Sequence, residues 1–142
     1  LSRENTTSMV TINTQVNDAY VNVYWADGLV VATPTGSTGY SLSSGGPIIA
    51  PDTKSMVLTP IAPHNLNVRP LIVADDVEIK IHVEGRGDSY LISLDTRLFS
   101  VPMNTTISVQ KANNPIVFIR SNKHGFFDTL RNKLLWGQDK RN

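Results

Sequence analysis

From residue 77 to residue 84 the chain alternates strictly, with Val77, Ile79, Ile81 and Val83 on one side and Glu78, Lys80, His82 and Glu84 on the other. Successive side chains of a strand point to opposite faces, so this run predicts a β-strand with one face in a core and one in water. The same reading extends over most of the chain. Met9 to Val16 and Ala19 to Trp25 are rich in Val, Ile, Thr and Tyr. The second sets Val21, Val23 and Trp25 against Tyr20, Asn22 and Tyr24, and Asn17-Asp18 between the two runs predicts a two-residue hairpin loop. Further strands are expected at Met56 to Ile61, Leu71 to Ala74, Tyr90 to Leu94, Thr106 to Gln110 and Ile116 to Arg120. Leu29 to Ala32 is a short apolar run that delivers a Thr/Pro/Gly/Ser segment. Gly85-Arg86-Gly87-Asp88 reads as the turn after the alternating strand; an Arg-Gly-Asp triplet between two strands arises easily by chance.

Two stretches read as helix: Ser37 to Ser44, and Phe126 to Trp136, punctuated by Gly125 and Gly137. The expected class is therefore all-β, like a β-sandwich with more than one sheet, with a short helix after the Gly/Ser/Thr loop and a C-terminal amphipathic helix. No internal repeat or linker marks a boundary, so residues 1 to 142 are expected to form one domain.

The chain's size supports that reading, since a chain of about 150 residues buries roughly 68–70% of its unfolded surface and needs no staple. It has no cysteine, which excludes thiol nucleophiles and Cys-ligated metals. His64, His82 and His124 are scattered, so no metal site is expected. No apolar run nears the roughly 20 residues of a membrane span, and a cytoplasmic location without membrane partners is expected. From Arg120 onward six basic side chains face two acidic ones, while the rest of the chain carries seven basic and ten acidic. That acidic body argues against nucleic acid as a partner, which would call for a broad basic face. The chain starts at Leu1 after no initiating Met and reads as a fragment.

Chemistry concentrates in residues 27 to 47, Asp-Gly-Leu-Val-Val-Ala-Thr-Pro-Thr-Gly-Ser-Thr-Gly-Tyr-Ser-Leu-Ser-Ser-Gly-Gly-Pro. Its hydroxyls offer donors and acceptors, and its glycines allow a ligand to approach the backbone closely. It is not a Walker A loop, for no Lys occurs between Arg3 and Lys54. Asp27, just before the apolar run, can accept from ribose hydroxyls or an amide, and Tyr40 can stack on a flat ring.

This segment resembles the signature of the NAD kinases. The likeness continues through Leu58-Thr59-Pro60-Ile61-Ala62-Pro63-His64-Asn65-Leu66, Arg69-Pro70-Leu71, Asp95, and Phe126 to Gly137. What it covers is the family's C-terminal, β-rich NAD-binding domain. The N-terminal α/β domain, whose Gly-Gly-Asp-Gly motif supplies the carboxylate that activates the ribose hydroxyl, has no counterpart in the sequence. Gly39 stands where Ala is common, and Thr96-Arg97 replaces the usual Gly-Gln after Asp95.

The resemblance implies that Asp27, Thr35, Thr38, Gly39, Tyr40, Ser41, Leu42, Ser43 and Ala62 line a dinucleotide site, with no catalytic residue and no metal ligand on this chain. It implies that the intact enzyme transfers a phosphoryl group from ATP or another donor, with a divalent metal such as Mg2+, to the adenosine 2′-hydroxyl of NAD, giving NADP. It further implies a homo-oligomer, dimer or tetramer, in which Asp27 would act on a neighbour's pocket, and a fragment that does not turn over alone. Two other readings remain at this point: the C-terminal domain of a lipid or sphingoid-base kinase, and a non-catalytic β-sandwich module.

Overall fold

The computed structural model describes residues 2–3, 9–117, 119 and 125–135, in two compact units, 1–111 and 112–142. The first unit holds β1 (Ser2–Arg3), β2 (Val10–Val16), β3 (Ala19–Ala26), β4 (Gly28–Ala32), a 3-10 turn (Thr35–Thr38), α1 (Tyr40–Ser43), β5 (Ser55–Ile61), β6 (Leu71–Ala74), β7 (Ile79–Glu84), β8 (Ser89–Leu94), β9 (Arg97–Pro102) and β10 (Thr106–Val109). All pairings are antiparallel, in a six-stranded sheet ordered β6-β5-β4-β1-β8-β9 and a four-stranded sheet ordered β10-β7-β2-β3.

The alternation of β7 joins these sheets. Ile79, Ile81 and Val83 of β7 are buried with Val10, Ile12, Tyr24 and Ala26, and they share one core with Leu29, Met56, Leu58 and Tyr90 of the six-stranded sheet. Glu78, Lys80 and His82 face outward in a ladder of polar contacts, among them Lys80 Nζ to Asp18 Oδ1 at 2.5 Å and Ser108 Oγ to Glu78 Oε1 at 2.6 Å. Asn17 and Asp18 have φ of 48° and 64°, the left-handed pair that a two-residue turn matching the strand twist demands. The β2–β3 register passes from Thr14↔Asn22 to Gln15↔Tyr20, so Val21 is the extra residue of a bulge. Beyond it Tyr24 and Ala26 point into the core, and Trp25 is half exposed.

Besides β1, which no run of apolar residues signals, the sequence expectations differ from the structure at three places. Ser37 to Ser44 is not one helix: the 3-10 turn ends at Gly39, whose ψ of −130° takes the chain out of helix before α1 restarts it. Arg97–Pro102 forms β9, an edge strand of mixed polar and apolar residues with no clean alternation to betray it. At Ile116 to Arg120, residues Ile116, Val117 and Ile119 lie outside any strand and are exposed; Pro115 before them offers no amide to a ladder. Phe118 and Arg120 lie outside the described residues.

The second unit contains α2 (Phe126–Leu134). Asp128 accepts from the Gly125 amide at 3.2 Å and pairs with Arg131, closing the first turn. Leu130 is the buried position, and Leu135, at φ 52°, ends the helix. Trp136 and Gly137 lie outside the described residues.

Burial raises the pKa of Tyr24 and of Tyr90 above the ordinary phenol value, and the Tyr90 hydroxyl donates to the Thr105 carbonyl at 3.0 Å. A pKa raised on folding adds stability that is fully present below the unfolded value, about pH 10 for Tyr, and lost as pH rises through the folded value. Lys80, raised by its hydrogen bond to Asp18, acts with the same sign. Urea unfolding should therefore show stability falling above about pH 10, with a shallower fall in Tyr90→Phe, because that variant removes one of the phenols and leaves Lys80 in place.

Candidate functional site

Asp27 sits where the chain leaves the four-stranded sheet and enters the six-stranded one. Its amide donates to the Ile61 carbonyl at 2.9 Å, and Gly28 pairs with Ile61 in the ladder. Three residues on, the His64 amide donates to the Trp25 carbonyl at 2.7 Å. The segment Ile61–His64 thus bonds to the end of one sheet and then to the end of the other, and the step between them is made at Ala62, φ 45°. Outside this corner the Trp25 and His64 rings meet edge-on, with centroids 5.8 Å apart and planes at 81°. The indole Nε1–H donates to Thr11 Oγ1 at 3.0 Å.

The Gly/Ser/Thr segment leaves the other end of β4. Two of its serines are structural anchors. Ser37, fully buried, donates to the Pro34 carbonyl at 2.6 Å and accepts from the Ile49 amide at 3.0 Å. Ser41, also fully buried, shares a hydrogen bond of 2.9 Å with Thr59 Oγ1. Thr59 pairs with Val30 in the middle of the β4–β5 ladder, so this bond folds α1 back over the sheet. Gly46 makes the approach possible: a Cβ there would overlap the Ser41 hydroxyl and lie 2.7 Å from the Ser41 carbonyl and 2.8 Å from Thr59 Oγ1. With the anchors inside, Thr35, Thr38, Gly39, Tyr40 and Ser43 are exposed, Tyr40 at 64%, and Leu42 is half buried.

The predicted residues consequently fall into two groups. Thr35, Thr38, Gly39, Tyr40, Ser41, Leu42 and Ser43 lie on one continuous turn and helix, although Ser41 faces inward. Asp27 and Ala62 are together at the sheet-to-sheet corner, separated from the start of the loop by β4, whose five residues span about 17 Å. Asp95 is apart from both, at φ 52° in the β8–β9 turn, with its carbonyl accepting from Ser93 Oγ at 2.8 Å. Past His64, a cleft of about 660 Å³ opens between β3 and the segment from Asn65 to Leu71, lined by Asn22, Asn65, Asn67 and Arg69 among others.

Sequence reasoning took Trp25 only as a strand residue; its place two residues before Asp27 was the available signal. Thr59 stands in the second segment of the resemblance, but nothing there ties it to Ser41, because only the fold brings the two together. Among the described residues no three His, Asp or Glu side chains come together in a way that could hold a metal ion.

Residues 1–121 match the ATP-NAD kinase C-terminal domain. The chain is 56% identical over its whole length to the NAD kinase of Flavobacterium johnsoniae and 49% identical to that of Cytophaga hutchinsonii, covering 48% and 49% of those proteins. Among solved structures it resembles an Archaeoglobus fulgidus NAD kinase in complex with ATP, with TM-score 0.75, 30% identity, and coverage of 96% of this chain and 50% of that one. It also shares the fold of yeast NADH kinase complexed with NADH, with TM-score 0.86 at 24% identity, over 97% of this chain and 43% of that one. The chain spans about half the length of the curated relatives it matches. Together with the anchored Thr-Pro-Thr-Gly-Ser-Thr loop and the Asp27 corner, these similarities place the chain in the NAD kinase family, over that family's C-terminal domain.

Proposed function

We propose that this chain is the dinucleotide-holding part of an enzyme that phosphorylates the adenosine 2′-hydroxyl of NAD to give NADP. The observation that carries the reading is the loop's construction. Ser37 and Ser41 are used up inside the fold, which leaves Thr35, Thr38, the Gly39 backbone, the Tyr40 ring and Ser43 exposed. Such a surface can bind and orient a polar, ring-bearing substrate through hydroxyls, amides and stacking without a cationic phosphate clamp. In the reaction the 2′-oxygen attacks the γ-phosphorus, the bond from that phosphorus to the diphosphate breaks, and the hydroxyl proton passes to a base. In this reading the base and most of the phosphate contacts come from the other part of the enzyme. ATP as donor is supported by the Archaeoglobus relative, whose structure holds it.

The separation of Asp27 and Ala62 from the loop supports a split site in a homo-oligomer, with the corner of one copy completing the loop surface of another.

The test is thermal unfolding of the chain with NAD and, separately, with a long-chain sphingoid base. NAD should raise the midpoint and the lipid should not; a shift with the lipid and none with NAD would overturn the dinucleotide-holding role. The isolated chain should form no NADP from NAD, ATP and Mg2+, and measurable NADP would overturn the proposed division of labour.

A further inference from the structure

Trp25 has three properties that core or surface tryptophans seldom combine. It is half exposed, at 52%. Its ring is held on two sides, by the Nε1–H bond to Thr11 Oγ1 and by the perpendicular His64 ring. And it lies two residues before Asp27, which follows the end of β3, while His64 lies two residues beyond Ala62. The bond from the His64 amide to the Trp25 carbonyl makes the four residues one patch on the sheet-to-sheet corner. A tryptophan held in place but left open to solvent has already lost its rotamer freedom, so a planar ligand that settles on it meets a preorganised apolar surface.

We infer that Trp25 is a binding residue of this corner: its indole is the wall on which a planar heteroaromatic ring of the dinucleotide stacks, and His64 is a positioning residue that holds the indole in place. The inference rests on the NAD-site reading and deepens it. Asp27 supplies a charged acceptor for the polar edge of that ring or its ribose, and Trp25 supplies the face. The division resembles general practice at ring-binding sites, where stacking gives affinity and one or two polar groups give orientation.

The chain has two tryptophans, so Trp136→Phe leaves Trp25 as the only indole and makes its fluorescence specific. In that background NAD should quench the emission saturably. By calorimetry, Trp25→Ala should weaken NAD binding roughly tenfold, as loss of one stacking partner does, and Trp25→Phe should restore most of the affinity. His64→Ala should weaken binding less, and should blue- or red-shift the Trp25 emission of the free protein by releasing the ring. Trp25→Phe with an unchanged melting midpoint separates stacking from folding. If Asp27→Ala weakens NAD binding while Trp25→Ala stays within twofold of wild type, the stacking role is wrong and the NAD site stands. If the wild-type chain shows neither quenching nor heat with NAD, the NAD-site reading falls and the stacking proposal falls with it.

Discussion

Gly46→Ala is expected to be the most damaging single-methyl change in the described residues of the loop. The added Cβ would collide with the Ser41 hydroxyl, its carbonyl and Thr59 Oγ1 at once. Two of those atoms are the partners of a fully buried hydrogen bond, and the third accepts from the Gly46 amide at 2.8 Å. No flexible side-chain end is available to yield, so either α1 lifts from β5 or the Ser41–Thr59 bond breaks. Overpacking of this kind costs about 1–3 kcal/mol, and a broken buried hydroxyl pair adds about 1–3 kcal/mol. Urea denaturation should place the loss at the upper part of that range. Because Tyr40 to Ser43 form α1 and Thr35 to Thr38 form the turn that leads into it, NAD binding should fall with it. Gly45→Ala is a useful contrast: its φ of 84° makes it strained, yet nothing lies within 4 Å of a Cβ there. It should cost about 1 kcal/mol and leave the Ser41–Thr59 contact intact.

The second large effect concerns that contact itself. Thr59→Val keeps the shape of the side chain but leaves the Ser41 hydroxyl buried without its partner, at a cost of about 1–3 kcal/mol. Ser41→Ala strands the Thr59 hydroxyl in the same way. Removing both partners deletes the unsatisfied groups together, so Ser41→Ala/Thr59→Val should be less destabilised than the sum of the single variants. A double-mutant cycle in urea is the measurement. A coupling below about 0.5 kcal/mol would mean that α1 is held on the sheet by something other than this pair.

The strands with one wet and one buried face were legible because their period is fixed by backbone geometry: β7 and β2 alternate in the sequence as they do in the fold. The hairpin at Asn17-Asp18 was legible for a related reason, since two residues that tolerate positive φ stood between two β-rich runs. β9 was hidden because an edge strand with most residues in water carries no burial pattern. Ile116 to Arg120 misled because β-branched residues report propensity, while a strand also requires a partner to accept its hydrogen bonds. At the site, the motif residues were legible as a run, but not their division. Composition cannot distinguish Ser41, turned inward onto Thr59, from Ser43, turned outward. Nor can it set Asp27 beside Ile61 and Ala62, or His64 against Trp25, because both depend on contacts between segments some thirty residues apart.

The most direct measurement on the central claim, that this chain holds the dinucleotide through the loop and the Asp27 corner, is calorimetric titration of NAD into the wild-type chain and into Asp27→Ala, with circular dichroism to verify that both are folded. The account predicts saturable binding to the wild type, weakened at least about tenfold in the variant, as expected when a charged hydrogen-bond acceptor is removed from a ligand. Equal affinity of the two folded proteins for NAD would contradict it.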